Sequence, residues 1–188
     1  MYYTPYTYPY RYSQNPYYAN LPMYDYVRQP DYWTVHDDAN RFGFFQTPNG
    51  RNQIEIKDYG RMPFVININE ATKQNNTYRT ALWTGNHLQV TLMSLKVGED
   101  IGLEIHPHVD QFLRIEQGQG IVQMGKRKDN LNFVRRVHDD SAIMVPAGIW
   151  HNVTNTGNIP LKLYSIYAPP EHPFGTVHVT KADALAVE

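Results

Sequence analysis

Three histidines in two separate stretches of the sequence have the types and spacing to bind a metal ion. His106 and His108 are separated by one residue, so in a strand both side chains point to the same face, together with that of Glu104. A turn at residues 146–148 precedes the third imidazole, His151. Neutral imidazoles with one oxygen donor suit zinc, manganese, iron, nickel or copper. The pattern therefore predicts a site for a divalent transition metal.

Glu104 is the candidate for the oxygen donor among the residues on this face. In a strand, the Glu104 side chain points to the same face as the two histidines, so it could supply a carboxylate, and it is also the candidate general base. Alternatively, it faces solvent at the rim. Asp110 is expected at the rim, outside the ligands. We therefore predict the three histidines as metal ligands and leave the other catalytic residues unassigned.

These two stretches resemble the paired motifs of the cupins. The first cupin motif reads Gly, a few residues, His-x-His, three or four residues, Glu, six residues, Gly. Residues 106–108 supply the His-x-His, and Gln111 is followed after six residues by Gly118. The second motif, Pro-x-Gly-x-x-His-x-x-x-Asn, is matched in full by Pro146, Gly148, His151 and Asn155.

The resemblance covers about residues 66–169 and departs from the first motif in two ways. Gln111 replaces the glutamate one residue early, and the opening glycine is displaced, with Gly98 and Gly102 flanking its usual place. In the second motif, Asp140 stands where a glycine is usual. The resemblance implies a small antiparallel jelly-roll barrel that holds the metal inside, isomerase-like or oxygenase-like chemistry, and pairing of barrels as homodimers. It also implies Gln111 as the oxygen ligand, although an uncharged amide binds metals more weakly than a carboxylate does. With Gln111 included, the predicted metal ligands are His106, His108, Gln111 and His151.

Short alternating or apolar stretches separated by turn signals predict an all-β fold with a single antiparallel barrel. One short helix is expected before Arg79, with Asn69 as its N-cap. Asn155 is expected to fix a turn by bonding to the backbone. The predicted strands are residues 53–57, 63–68, 80–84, 87–97, 111–116, 121–125, 133–137, 142–145 and 161–168.

The first 32 residues differ in composition from the rest, since they hold eleven of the fifteen tyrosines together with five prolines. Proline at this density favours extended chain. The segment is either a disordered leader or an adhesive assembly segment, and it resembles the Tyr-rich segments of spore-coat and other surface-layer proteins. We divide the chain into an N-terminal segment, a barrel and a C-terminal tail: residues 1–48, 49–170 and 171–188.

Composition argues against several classes of function. A net charge of −1 offers no field for nucleic acid or an anionic membrane, and the absence of cysteine excludes disulfides and thiolate sites. No apolar run near eighteen residues and no export signal are present, so we expect a soluble protein, cytoplasmic or associated with a spore or surface layer. The other histidines are interpreted as surface or loop residues, although His172 and His178 flank Gly175 and could cover the barrel mouth.

Two classes of function remain open. In the first, the protein is a metalloenzyme whose metal polarises a carbonyl, activates water or binds dioxygen. In the second, the barrel is a scaffold, the metal stabilises it, and the Tyr-rich segment assembles the protein into a coat or matrix. We favour a metal-binding barrel whose Tyr-rich segment mediates assembly, at least as a homodimer, with a small-molecule ligand allowed and no nucleic acid or membrane partner.

Overall fold

The structure of the protein, a computed structural model, describes residues 44–46 and 52–186. The Tyr-rich segment predicted at the N-terminus therefore lies outside the described residues. Those residues form eleven strands and two short helices: β1 Phe44–Gln46, β2 Asn52–Ile54, α1 Ile68–Gln74, β3 Arg79–Thr84, β4 Gln89–Leu95, β5 Asp110–Gln117, β6 Gln119–Gly125, β7 Phe133–His138, β8 Ala142–Val145, β9 Trp150–Asn155, β10 Leu161–Ala168, β11 Val177–His178 and α2 Lys181–Leu185.

Two antiparallel sheets make the barrel. The larger has six strands in the order β11-β3-β4-β10-β5-β8, and the smaller has three in the order β7-β6-β9. A separate hairpin pairs β1 with β2. Both helices of the described residues are too short to span a bilayer. The prediction of an all-β antiparallel barrel is confirmed.

One end of the barrel interior is apolar. Inward-facing residues alternate along each central strand, and their side chains bury a common core between the two sheets. Leu113 and Ile115 of β5 lie opposite Leu163 and its neighbours on β10 and are fully buried. Each such side chain stabilises the fold by roughly 1.5–3 kcal/mol relative to an exposed one. This end of the barrel supplies the hydrophobic core.

The inward-facing residues become polar toward the other end of the same strands. Tyr167 of β10 is paired with Gln89 of β4 and with Gln111 of β5, and Ser165 lies opposite Thr91. All five are buried. Because the strands are antiparallel and in register, their polar segments meet at one end of the interior. A buried polar layer of this kind is expensive unless its groups find partners, which makes it a candidate site.

Helix α1 covers the outer face of the large sheet, with Ala71 packed against Leu82 and Leu92. It begins earlier than expected, because the side chain of Asn67 caps it by accepting from Glu70 N, so the predicted cap at Asn69 is wrong. The predicted strand at residues 63–68 is also wrong, since this apolar stretch packs on the outer cluster without pairing.

Asn155 ties the end of β9 to two neighbouring segments, and its predicted bonding to the backbone is confirmed. Its Nδ2 donates to the carbonyl oxygens of Leu95, Lys96 and Ile159 at 2.9–3.1 Å, and its Oδ1 accepts from Gly157 N at 2.9 Å. The side chain is 1% exposed. It therefore joins the end of β4, the end of β9 and the turn before β10.

We predict that Asn155→Ala lowers the free energy of unfolding by about 2–4 kcal/mol, because the buried backbone groups lose their partner. Urea denaturation of the purified protein measures this. The matched control is Asn158→Ala, which removes an exposed amide from the same turn. Equal unfolding free energies for the two variants would contradict the role given to Asn155.

Candidate metal centre

Backbone pairing brings Glu104 and His151 side by side. An isolated antiparallel bridge joins them: Glu104 N donates to His151 O at 3.1 Å, and His151 N donates to Glu104 O at 3.0 Å. The bridge fixes the segment before β5 against the first residues of β9. The Glu104 and His151 side chains therefore extend from directly paired positions of the backbone.

Three donor atoms converge at this point of the barrel. Oε1 of Glu104 lies 3.4 Å from Nε2 of His106 and 3.3 Å from Nε2 of His151. The ligand atoms of the three residues all lie within 4.8 Å of one another. His106 is 7% exposed and His151 is fully buried. Two imidazole nitrogens and a carboxylate oxygen suit a divalent transition metal, so the residues fit the predicted cofactor.

The protonation of His151 supports this fit. Its Nδ1 lies 3.1 Å from the carbonyl oxygen of Ile149, which can only accept, so Nδ1 carries the proton of the neutral ring. Nε2 then presents a lone pair toward the carboxylate of Glu104. It is buried and has no hydrogen-bond partner among the residues that the structure describes. Two facing lone pairs repel each other, so this contact requires either a second proton on the ring or a cation between the two atoms.

The groups around the cluster keep the Glu104 carboxyl ionised. Burial raises the pKa of the Glu104 carboxyl, but the contacts with the two imidazoles and the charge of Arg79 outweigh burial and hold this pKa at about 2. Burial lowers the pKa of His106, but the Glu104 carboxylate outweighs it and the net shift is upward. Glu104 is therefore an ionised carboxylate at neutral pH, and a carboxyl this acidic is a better ligand than a general base.

Two hydrogen bonds hold the turn that precedes His151. Ala147 N donates to Oδ1 of Asp110 at 2.8 Å, and Gly148 N donates to the carbonyl oxygen of His106 at 2.9 Å. Gly148 has φ +76°, a conformation that favours glycine. Asp110 is thus at the rim, where it was expected, and it links the two motif segments without joining the cluster.

Gln111 faces the interior beside the cluster. It is paired with Tyr167 across β5 and β10, and the Tyr167 ring meets the His106 ring edge-on at a centroid distance of 5.6 Å. Both amide atoms of Gln111 are buried and have no hydrogen-bond partner in the described part of the chain. An unpartnered buried amide is a costly group, which supports its prediction as an oxygen ligand.

The structure does not bring His108 into this cluster. The predicted pairing of His106 with His108 requires a regular strand through residues 104–108, but Pro107 and His108 form a turn and β5 begins only at Asp110. Alternation does not extend through a turn, so the shared parity of His106 and His108 is lost, and His108 is exposed. Glu104 occupies the place in the cluster that His108 was predicted to take.

The motif spacing is regular once Glu104 and His106 are taken as its first ligand pair. Gly98 then precedes Glu104 by five intervening residues, four residues separate His106 from Gln111, and six separate Gln111 from Gly118. The displaced glycine and the shortened spacing before Gln111 disappear, and two substitutions remain: Glu104 stands in place of the first histidine, and Gln111 in place of the glutamate. This regular spacing is the signal that would have identified Glu104 from the sequence.

Asp140 explains the departure in the second motif. Its φ is +67°, the only positive value among the described residues other than glycine. The backbone keeps the conformation that makes glycine usual at this position, and aspartate is among the few other residues that adopt it readily. The Asp140 carboxylate also pairs with Arg114 at 2.5 Å. The substitution thus leaves the turn before β8 intact.

A cavity of about 740 Å³ opens onto the cluster. One wall is the segment that contains Glu104 and His106, and the other is the C-terminal segment of residues 171–178. His172 and His178, interpreted as surface or loop residues with the barrel mouth as the alternative, line this cavity. Burial and the Arg79 charge lower the pKa of His172 to about 3, so its ring is neutral.

Two further residues at the site were not predicted. Arg79 of β3 is 1% exposed, and its Nη2 lies 3.8 Å from Oε2 of Glu104. Oε1 of Glu171 lies 3.1 Å from Nδ1 of His106. Neither residue belongs to a motif, and both reach the cluster only through the three-dimensional pairing of strands. Sequence spacing carries no signal for them.

Comparisons with known proteins agree with the fold. A family model described as "Cupin domain" matches residues 91–167. The uncharacterized protein YrkC of Bacillus subtilis (strain 168) is 64% identical over 191 residues, covering 100% of both chains. The uncharacterized protein L612 of Acanthamoeba polyphaga mimivirus is 44% identical over 119 residues, which cover 63% of this chain and 72% of that protein.

A solved structure is similar as well. The crystal structure of BH2720 from Bacillus halodurans shares 69% sequence identity and a TM-score of 0.69, and the match covers 70% of this chain and 99% of that one. The matching domain, the antiparallel barrel and the two motifs with their convergent side chains lead to one conclusion. This chain belongs to the cupin superfamily.

Proposed function

We propose that the protein binds a divalent transition metal and acts with it on a small molecule, as a metalloenzyme of the isomerase or oxygenase type. The observation that carries this proposal is the convergence of two imidazole nitrogens on Oε1 of Glu104, at 3.3 and 3.4 Å, beside a cavity of about 740 Å³. The ligands would be Glu104, His106, Gln111 and His151.

The metal and the residues around the cavity would have different roles. A metal bound there would supply Lewis-acid chemistry, polarising a carbonyl or activating water, or a place for dioxygen. The neutral ring of His172 stands in the cavity wall, and its Nε2 is buried without a hydrogen-bond partner in the described chain. The ring would form part of the surface against which the ligand packs. The wall of residues 171–178 would limit the access of water.

We predict that the purified protein takes up one equivalent of Zn²⁺ or Co²⁺, and that His106→Ala or His151→Ala abolishes this binding. Each variant removes one of the converging nitrogens, which leaves too few ligands for a stable site. Titration against a chromophoric chelator measures the affinity, and the Co²⁺ absorption spectrum reports the coordination.

His108→Ala is the matched control, because it removes an imidazole two residues away that lies outside the cluster. It should bind metal as tightly as the wild type does. Loss of binding in His108→Ala together with retention in Glu104→Ala would contradict the proposed ligands. A wild-type protein that takes up no metal would refute the function itself.

We further propose that the ligand of this cavity is uncharged. Among the described residues that line it there is no lysine or arginine, whereas Glu104 and Glu171 contribute two carboxylates. Arg79 is buried and paired with Glu104. A bound metal would attract an anionic group directly, but a phosphate held away from the metal would meet no cation. A neutral hydroxy-carbonyl compound fits this arrangement better than a sugar phosphate.

We expect D-mannose to bind the Zn²⁺-loaded protein at least as tightly as D-mannose 6-phosphate does, because the added phosphate has no basic partner. NMR titration measures both affinities from the backbone amide shifts of the cavity wall, such as those of His172 and Thr176. The pair differs only in the phosphate and is its own control. Much tighter binding of the phosphate ester would contradict an uncharged ligand.

We also propose that the Tyr-rich segment mediates assembly, at least of a homodimer, in a spore-coat or other surface layer. Its eleven tyrosines within 32 residues combine apolar ring faces with polar tips, a composition suited to adhesion. The barrel also offers sheet edges: β7 and β8 end their sheets, and Phe133, Val134 and Met144 are exposed there. In this alternative function the barrel serves as a scaffold.

We predict that replacing all eleven N-terminal tyrosines by serine reduces the size of the assemblies, since the ring faces are lost. Sedimentation velocity of the full-length proteins at equal concentration measures this. Replacement of the same tyrosines by phenylalanine is the control and should preserve assembly. An unchanged size distribution in the serine variant would rule out assembly through this segment.

A further inference from the structure

Glu171 and Glu104 contact the two different nitrogens of the His106 ring. Oε1 of Glu171 lies 3.1 Å from Nδ1, and Oε1 of Glu104 lies 3.4 Å from Nε2. His106 is 7% exposed, and the side chain of Glu171 is 32% exposed at the cavity wall. Each nitrogen of this imidazole therefore faces a carboxylate, and the two contacts have different consequences.

Both carboxylates can only accept a hydrogen bond, and the neutral ring has a single proton; the shorter contact, with Glu171, favours Nδ1 as its position. Nε2 is then left with its lone pair, directed at the same carboxylate oxygen as Nε2 of His151. Metal-binding histidines commonly donate their second N–H to a carboxylate, which fixes the tautomer and the ring orientation and raises the basicity of the ligand.

We propose that Glu171 is a positioning residue for the metal centre: it holds His106 as the Nδ1–H tautomer and so makes Nε2 a metal ligand. This inference rests on the proposed metal-binding function. It makes the chain beyond the barrel, predicted as a C-terminal tail from residue 171, a component of the centre. Glu171 itself would not touch the metal.

The segment that carries Glu171 is held firmly against the barrel. The fully buried side-chain amide of Gln89 makes two hydrogen bonds with the backbone of His172, the residue that follows Glu171. Its Nε2 donates to His172 O at 2.8 Å, and its Oε1 accepts from His172 N at 2.9 Å. Further along, Gly175 N donates to Oδ2 of Asp58 at 2.9 Å. The contact between Glu171 and His106 is therefore part of a fixed wall.

The strength of the carboxylate contact alone would not justify this role. An exposed ion pair adds little to stability, typically about 0–1 kcal/mol. The distinctive effect of Glu171 is on the identity of the protonated nitrogen, which an ion pair elsewhere on the surface would not control. A test must therefore measure the tautomer of His106 as well as metal affinity.

The experiment compares the full-length wild type with Glu171→Ala and Glu171→Gln. In the metal-free proteins, long-range ¹H–¹⁵N NMR spectra of His106 at mildly alkaline pH identify the protonated ring nitrogen. In parallel, competition with a chromophoric chelator gives the Zn²⁺ affinity. We expect the Nδ1–H tautomer in the wild type, a tautomer mixture in Glu171→Ala, and Zn²⁺ affinity in that variant about 10- to 100-fold lower.

Glu171→Gln separates hydrogen bonding from charge, because its amide oxygen still accepts from Nδ1–H. It should retain the wild-type tautomer and most of the affinity. Equal Zn²⁺ affinity of Glu171→Ala and the wild type would overturn the role of Glu171, as would a Gln variant as weak as the Ala variant. A wild type with the Nδ1–H tautomer but no Zn²⁺ uptake would instead overturn the proposed metal-binding function.

Discussion

The candidate centre depends on one short piece of backbone pairing, the bridge between Glu104 and His151. Its two hydrogen bonds join a segment without regular strand structure to the start of β9. The bridge places a carboxylate and an imidazole beside each other at the polar end of the barrel. The contacts of Asp110 and Gly148 with the opposite motif then fix the turn that aims His151. Without this bridge, the backbone would not hold Glu104 and His151 at neighbouring positions.

The barrel can hold such a centre because its interior is divided along the strands. In β10, the inward-facing residues change from Leu161 and Leu163 to Ser165 and Tyr167; β4 changes at the same level, and β5 changes one inward-facing residue later. The apolar end supplies the burial that stabilises the fold. The polar end removes donors and acceptors from water, which is costly unless a metal or a ligand satisfies them. The apolar residues that stabilise the fold and the polar residues of the candidate site thus lie at different ends of one core.

The sequence predicted the barrel because strand periodicity and turn signals are local properties. It also predicted the position of His151 and the backbone bonding of Asn155, since both lie in a regular strand after a defined turn. It misplaced the first ligand pair because a turn at Pro107 ends the alternation of side chains that a regular strand would have. Arg79 and Glu171 could not be predicted, because only the pairing of distant segments brings them to the cluster.

The most direct test of the central claim is a crystal structure of the metal-loaded protein with anomalous data collected at the absorption edge of the metal. We expect one anomalous peak within bonding distance of the Glu104 carboxylate and of Nε2 of His106 and His151, with His108 in solvent. A peak coordinated by His108, or no peak at this end of the barrel in a fully loaded sample, would contradict it.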